Sequence, residues 1–207
     1  IELSSSSYRT GAFFYSFGLI PSALLGYTHL SQDLYVIPAF LTIFSSMFVH
    51  GGFMHLIGNM LYMWIFADNI EDNLGPKRFI TFYLLCGICA AMTQVIMDTH
   101  SQIPMVGASG AIGGVLGAYL INHPHAKVLV LIPLGFFSQI LRIKAIYVLG
   151  FWFILQFINS ALTNPQGGGV AYAAHIGGFL SGVILILFFN KKRKKKIKKK
   201  IIKGPWG

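Results

Sequence analysis

Apolar residues run through this chain in long blocks separated by short polar stretches, a pattern too continuous for a half-buried strand or a surface helix. A helix needs about 20 predominantly apolar residues to cross the hydrocarbon core of a bilayer. Six blocks are candidates: Gly11 to Tyr27, Gly52 to Asn69, Arg78 to Met97, Val106 to Asn122, Ala145 to Leu162 and Val170 to Phe189. Two other apolar stretches are interrupted. "VLVLIPLGFF", Val128 to Phe137, is broken by Pro133 and Gly135 and is too short to span, which suits an interfacial or hairpin-like loop. "LYVIPAFLTIFSSMFV", Leu34 to Val49, is longer; Pro38, Ser45 and Ser46 weaken it, and the choice between interfacial and spanning stays open.

Composition turns this pattern into a class. Of 207 residues, 55% are hydrophobic and 11% charged, with a mean hydropathy of +0.65, whereas a soluble domain is about one quarter charged. The expected fold is therefore an all-α polytopic membrane protein. Lys and Arg in short loops collect on the cytoplasmic side. With six spans, Arg9, Lys77, Arg78, Lys127, Arg142, Lys144 and the basic tail all fall on one face, and the opposite loops hold no Lys or Arg. Crossing by Val128 to Phe137 would part Lys127 from Arg142; crossing by Leu34 to Val49 would move only Arg9. Both termini are expected in the cytoplasm, with a six-span domain over 1–190 and a basic tail over 191–207. The tail, "KKRKKKIKKKIIKGPWG", follows a span directly and has no aromatic before Trp206, so its expected partner is a bilayer with anionic headgroups rather than nucleic acid.

In that topology spans two, four and six enter from the outer face, and their first turns carry the polar residues. His50 precedes span two, which brings His55 and Asn59; span four opens with "GASG" around Ser109; span six carries His175 in "AYAAHIGG". At 1.5 Å per residue these lie roughly 4 to 12 Å from their helix starts, within reach of water from outside. Each residue has a plain alternative. Serine is common in membrane helices as a packing or back-bonding residue, while an intramembrane histidine is costlier and therefore more telling. His123, His125, His29 and His100 read as interfacial or exposed. No metal is expected, because His50 and His55 are five apart and no Glu or Cys joins them. Cys86 and Cys89 in "CGIC" read as small packing residues in an apolar helix.

Together, Ser109, His175, His55 and Asn59 are the parts of an acyl-transfer site. A serine hydroxyl needs a base to take its proton, and His175 is the candidate; the oxyanion needs donors, which the Ser109 backbone N–H, His55 and Asn59 could supply. Gly113 and Gly117 below Ser109, and Gly178 and Gly182 below His175, would let spans four and six approach closely. Glycines that merely pack helices would give the same pattern. From Thr99 onward there is no Asp or Glu. An acid from Asp33 or Asp98 stays possible, and a Ser109–His175 dyad is simpler.

At these residues the chain resembles the rhomboid family of intramembrane serine proteases. The resemblance rests on His55 and Asn59 as H-x-x-x-N, on Gly107, Ser109 and Gly110 as G-x-S-G, on His175 and Gly178 as A-H-x-x-G, on Glu71 to Gly75 as E-x-x-x-G, and on the six-span order. It covers His50 to Gly182 well and little before. It implies a rhomboid-like six-helix bundle that hydrolyses a peptide bond in or beside a substrate's transmembrane segment, without metal or other cofactor. Ser109 would be nucleophile, His175 general base, His55 and Asn59 oxyanion donors, with His50, Gly107, Gly110, Gly113 and Gly178 as cavity or support. The partners implied are single-span or other membrane proteins. The expected setting is a prokaryotic inner membrane, with an organelle membrane as the other possibility. Two positions depart from the family pattern: Gly113 stands where many members carry an aromatic that stacks on the histidine, and the loop after span one lacks the Trp-Arg pair of some members. Span five is a candidate gate by analogy, or an ordinary lipid-facing helix. The alternatives are an inactive rhomboid-like protein that binds transmembrane helices, or a transporter lined by the same polar groups.

Overall fold

The computed structural model describes residues 5–134, 137–162 and 169–190. The basic tail expected over 191–207, and most of the loop between the fifth and sixth blocks, lie outside the described residues. The long elements are α1 (Ser5–Phe17), α4 (Phe53–Leu74), α5 (Pro76–Met97), α6 (Ser109–Asn122), α7 (Ala145–Leu162) and α8 (Tyr172–Phe189). Between α1 and α4 lie two one-turn helices, α2 (Pro21–Leu24) and α3 (Thr42–Ser45), with a 3-10 turn over Ala39–Leu41. Among the described residues three helices, α5, α7 and α8, are long and apolar enough to cross a membrane; α6, with 14 residues, is apolar but shorter.

The last five expected blocks correspond to α4 through α8, and α7 matches at both ends. The junction of α4 and α5 shows why such ends are readable. Gly75 adopts φ +81, its N–H donates to the Glu71 carbonyl at 2.6 Å, and Pro76 starts the next helix, where a missing N–H costs nothing.

One expected bound and the all-α class are corrected, the choice left open for Leu34 to Val49 is decided, and the hairpin-like reading of Val128 to Phe137 holds. The first block was expected to run to Tyr27, but α1 stops at Phe17. Beyond Gly18 the chain turns extended, Leu19 and Met105 exchange backbone hydrogen bonds of 2.9 and 2.8 Å, and Pro21 opens a separate turn. Leu34 to Val49 holds only the 3-10 turn and α3, so no spanning helix forms there. Val128 to Phe137 belongs to a hairpin: β1 (Lys127–Leu134) pairs antiparallel with β2 (Phe137–Lys144), from Lys127 opposite Lys144 to Leu134 opposite Phe137. The fold is mostly helical rather than all-α.

Helix α6 occupies the centre, with every residue from Gly110 to Tyr119 buried. Its contact with α8 is made by backbone. A Cβ on Gly178 would collide with the Gly110 carbonyl, and one on Gly182 with the Gly114 carbonyl. Gly113 and Gly117 also face α8, against the His175 and Phe179 carbonyls, but the closest approach belongs to Gly110 and Gly114. The other side of α6 rests on α5, where Cys86 is buried against Gly114, as a small packing residue would be. Phe66, Ile70, Leu74, Phe82, Val115, Leu116, Phe179 and Ile186 fill the core nearer the opposite end of α6 from Ser109. Helix α7 touches this core along one stripe, burying Ala145, Leu149 and Gln156 with Trp152 half-buried between them. Phe151, Ile154 and Phe157 face outward.

Candidate active site

The segment before α6 is fixed at two points, by the Leu19–Met105 pair and by the Gly107 N–H donating to the Ser46 carbonyl at 2.8 Å. Gly107 has φ +121, a conformation costly for a residue with a side chain. A Cβ there would also stand 2.6 Å from Cε1 and 2.7 Å from Nε2 of His55. Glycine thus both turns the chain into α6 and leaves room for the His55 ring. Ser109 follows as the first residue of α6.

His175, the fourth residue of α8, is buried, and its Nε2 lies 2.8 Å from Ser109 Oγ. The glycine seam sets this distance, because two helices kept apart by larger side chains would hold these groups out of reach. On the other edge of the ring, Nδ1 lies 2.8 Å from Oε1 of Gln156 in α7. The Trp152 ring is 5.8 Å from the imidazole at 31°, and Tyr172 meets it edge-on at 6.2 Å. Gln156 and Trp152 were not singled out in the sequence. At Gly113 the site has no aromatic, and Trp152 covers the ring from another helix. The residue on Nδ1 is an amide, not Asp33 or Asp98.

A cavity of about 390 Å³ opens between these helix ends, lined by His55, Asn59, Gly107, Ser109, Gly110 and His175 together with Ser46 and Met54. Asn59 is buried and its Nδ2 has no hydrogen-bond partner. An unpaired buried donor is expensive, so a donor left open beside a serine hydroxyl calls for a chemical explanation. His55 Nδ1 accepts the Gly51 N–H at 3.3 Å, which leaves the ring proton on Nε2, the atom beside Gly107. His50 does not line the cavity; it packs edge-on against His55, with centroids 5.3 Å apart. Gly113 and Gly178 belong to the seam below, not to the wall. The cap of α6 is Ala108, which offers no side-chain acceptor, so the first-turn N–H groups of that helix point toward the site uncapped. His123, expected as an interfacial residue, lies 2.8 Å by Nε2 from Asn73 Nδ2 at the far end of α6.

A hydroxyl touching an imidazole, beside unpaired donors, at the head of a helix enclosed by long apolar neighbours defines a helical membrane protein with a polar cavity inside its bundle. The family model for the Rhomboid domain matches residues 38–192. The chain is 30% identical over 174 residues to "Rhomboid protein 1, mitochondrial" of Saccharomyces cerevisiae, covering 80% of this chain and 47% of that protein. It is 32% identical over 144 residues to "Presenilin-associated rhomboid-like protein A, mitochondrial" of Danio rerio, covering 67% and 34%. It is 28% identical over 144 residues to "RHOMBOID-like protein 5" of Arabidopsis thaliana, covering 68% and 41%. The chain therefore belongs to the rhomboid family, and it spans less than half the length of these curated relatives.

Proposed function

We propose that the chain is an intramembrane serine endopeptidase that hydrolyses peptide bonds in or next to transmembrane segments of membrane-anchored proteins. The 2.8 Å contact between Ser109 Oγ and His175 Nε2 carries this reading. Ser109 attacks the scissile carbonyl as His175 Nε2 takes the hydroxyl proton. The negative charge that develops on the carbonyl oxygen is met by the Ser109 backbone N–H at the start of α6, by Asn59 Nδ2 and by His55 Nε2–H. His175 then gives its proton to the leaving amine, and a water activated by the same nitrogen hydrolyses the acyl-serine. A substrate helix hides its carbonyls in internal hydrogen bonds and must unwind locally to present one.

The length of α6 supports chemistry below the membrane surface. With 14 residues it falls about 6 residues short of a full span, so if its inner end is level with its neighbours, Ser109 starts roughly 9 Å deep. In this proposal the domain over 1–190 crosses the membrane six times, both termini are cytoplasmic, and the basic stretch over 191–207 lies on anionic headgroups. The mitochondrial names of two relatives support an organelle membrane beside the prokaryotic inner membrane expected from the sequence.

The test is cleavage of a model transmembrane substrate in detergent. Ser109→Ala and His175→Ala should each lower the rate by at least about 10³-fold, with unfolding temperatures unchanged, and a fluorophosphonate should label the parent protein but not Ser109→Ala. Cleavage that persists in Ser109→Ala overturns the proposal.

A further inference from the structure

We infer that Gln156 is a positioning residue that fixes which nitrogen of His175 carries the proton, and so holds the imidazole in the form able to act as a base. This deepens the peptidase reading and rests on it for its kinetic part only. The argument starts from a backbone carbonyl. Gln156 Nε2 donates to the Trp152 carbonyl, one turn back on α7, at 3.0 Å. A carbonyl can only accept, so the NH₂ end of the amide must face it and Oε1 must face outward, to His175 Nδ1 at 2.8 Å. Facing an acceptor, Nδ1 carries the ring proton. Nε2 is then a bare lone pair, and the Ser109 hydroxyl, 2.8 Å away, donates to it.

The reversed amide is disfavoured at both ends. It would set oxygen against the Trp152 carbonyl oxygen and NH₂ against Nδ1, driving the proton onto Nε2 and turning a hydrogen toward Ser109. Gln156 is buried at 6% exposure, so water offers it no substitute partner. The stripe of α7 that carries it, at spacings of four, three and four from Ala145 through Leu149 and Trp152, also places the Trp152 ring on the imidazole. A neutral amide takes the place of the carboxylate that holds the histidine in soluble serine hydrolases, in a chain with no acidic residue after Asp98.

The test reads the proton directly. The full chain is labelled with ¹⁵N-histidine in detergent, His175 is assigned by its loss in His175→Ala, and the ring nitrogen shifts give the tautomer. In the parent protein Nδ1 should be protonated and Nε2 bare. Gln156→Leu, close in size but without an acceptor, should spread His175 over both tautomers, slow fluorophosphonate labelling of Ser109 by about 10- to 100-fold, and lower kcat in that range with KM little changed. Gln156→Glu in its neutral acid form, whose hydroxyl can donate to the Trp152 carbonyl while its C=O accepts from Nδ1, should restore the tautomer and most of the labelling rate. Gln156→Asn is the milder probe should Gln156→Leu not fold; one methylene short, it cannot reach both Trp152 and His175.

Protonation at Nε2 in the parent protein overturns the inference, as does an unchanged tautomer and labelling rate in the Leu and Asn variants. A tautomer that depends on Gln156 in a protein that neither cleaves nor labels would sink the peptidase reading and leave the positioning role standing.

Discussion

Helices α6 and α8 meet backbone to backbone, whereas α7 reaches the same site only through side chains. Along the α6–α8 seam, Gly178 and Gly182 lie against the carbonyls of Gly110 and Gly114, with no room for a single Cβ. The distance between Ser109 and His175 therefore rests on the least deformable part of the chain. The α7 wall is different in kind. Only Ala145, Leu149 and Gln156 are buried on it, against seven residues of α5, and its link to the site is one amide and one indole. Ser109 and His175 are held by backbone packing, whereas Gln156, the amide on His175 Nδ1, sits on a helix that buries only three of its residues.

Breaking the seam should have the largest effect. Gly178→Val places a branched side chain where the Gly110 carbonyl already stands, and a backbone cannot move aside as a flexible side chain would. The expected cost is roughly 3 kcal/mol or more, read as a large drop in unfolding temperature in detergent with loss of cleavage and of Ser109 labelling together. A normally stable Gly178→Val protein would mean that the two helices are not in backbone contact.

A change in the wall should be milder and should separate two kinds of support. Trp152→Leu removes the ring that covers His175 but leaves the Trp152 backbone carbonyl, and so leaves Gln156 anchored. An aromatic contact of this sort is worth about 0.5–1.5 kcal/mol, which corresponds to a loss of activity of about two- to tenfold, with the His175 tautomer unchanged. A tautomer that shifts in Trp152→Leu would show that ring packing, not the amide, orients the imidazole.

The same contrast explains what could be read from the sequence. Ser109, His175, His55 and Asn59 stood out because polar groups inside apolar blocks are costly and therefore conspicuous. Gln156 is just as polar within "FWFILQFIN", but no motif marks it, and the surrounding bulky apolar residues read as a gate or a lipid-facing helix. Its signal was the stripe shared with Ala145, Leu149 and Trp152. The seam was legible as a class of residue and not as a register: four-residue glycine spacing appears twice on α6, at Gly113–Gly117 and Gly110–Gly114, and only packing decides which row approaches α8 most closely. The end of α1 was not legible. Gly18 lies against Pro104 and Val106, residues far along the chain, and the extended pairing of Leu19 with Met105 is a tertiary choice that hydropathy does not record. The hairpin was half visible. Pro133 and Gly135 argued against a span, but β2 places Ser138, Ile140, Arg142 and Lys144 on one face without a clean alternation that would announce a strand.

The smallest effect sharpens the comparison from the other side. Gly150 lies in the interior of α7, and a Cβ added there meets nothing within 4 Å, in contrast to Gly178, where the backbone of α6 is already in the way. A glycine with no packing role still costs a helix conformational entropy, so Gly150→Ala should stabilise α7 by about 0.5–1 kcal/mol. The stripe that carries Trp152 and Gln156 is untouched by the change, and the distance between Ser109 and His175 is set on other helices. Unfolding temperature should therefore rise slightly while cleavage stays the same within about twofold, because 0.4 kcal/mol is already a factor of about two. A clear fall in cleavage with that gain in stability would mean that α7 must flex at Gly150 for turnover, and that the looseness of this wall is itself used in catalysis.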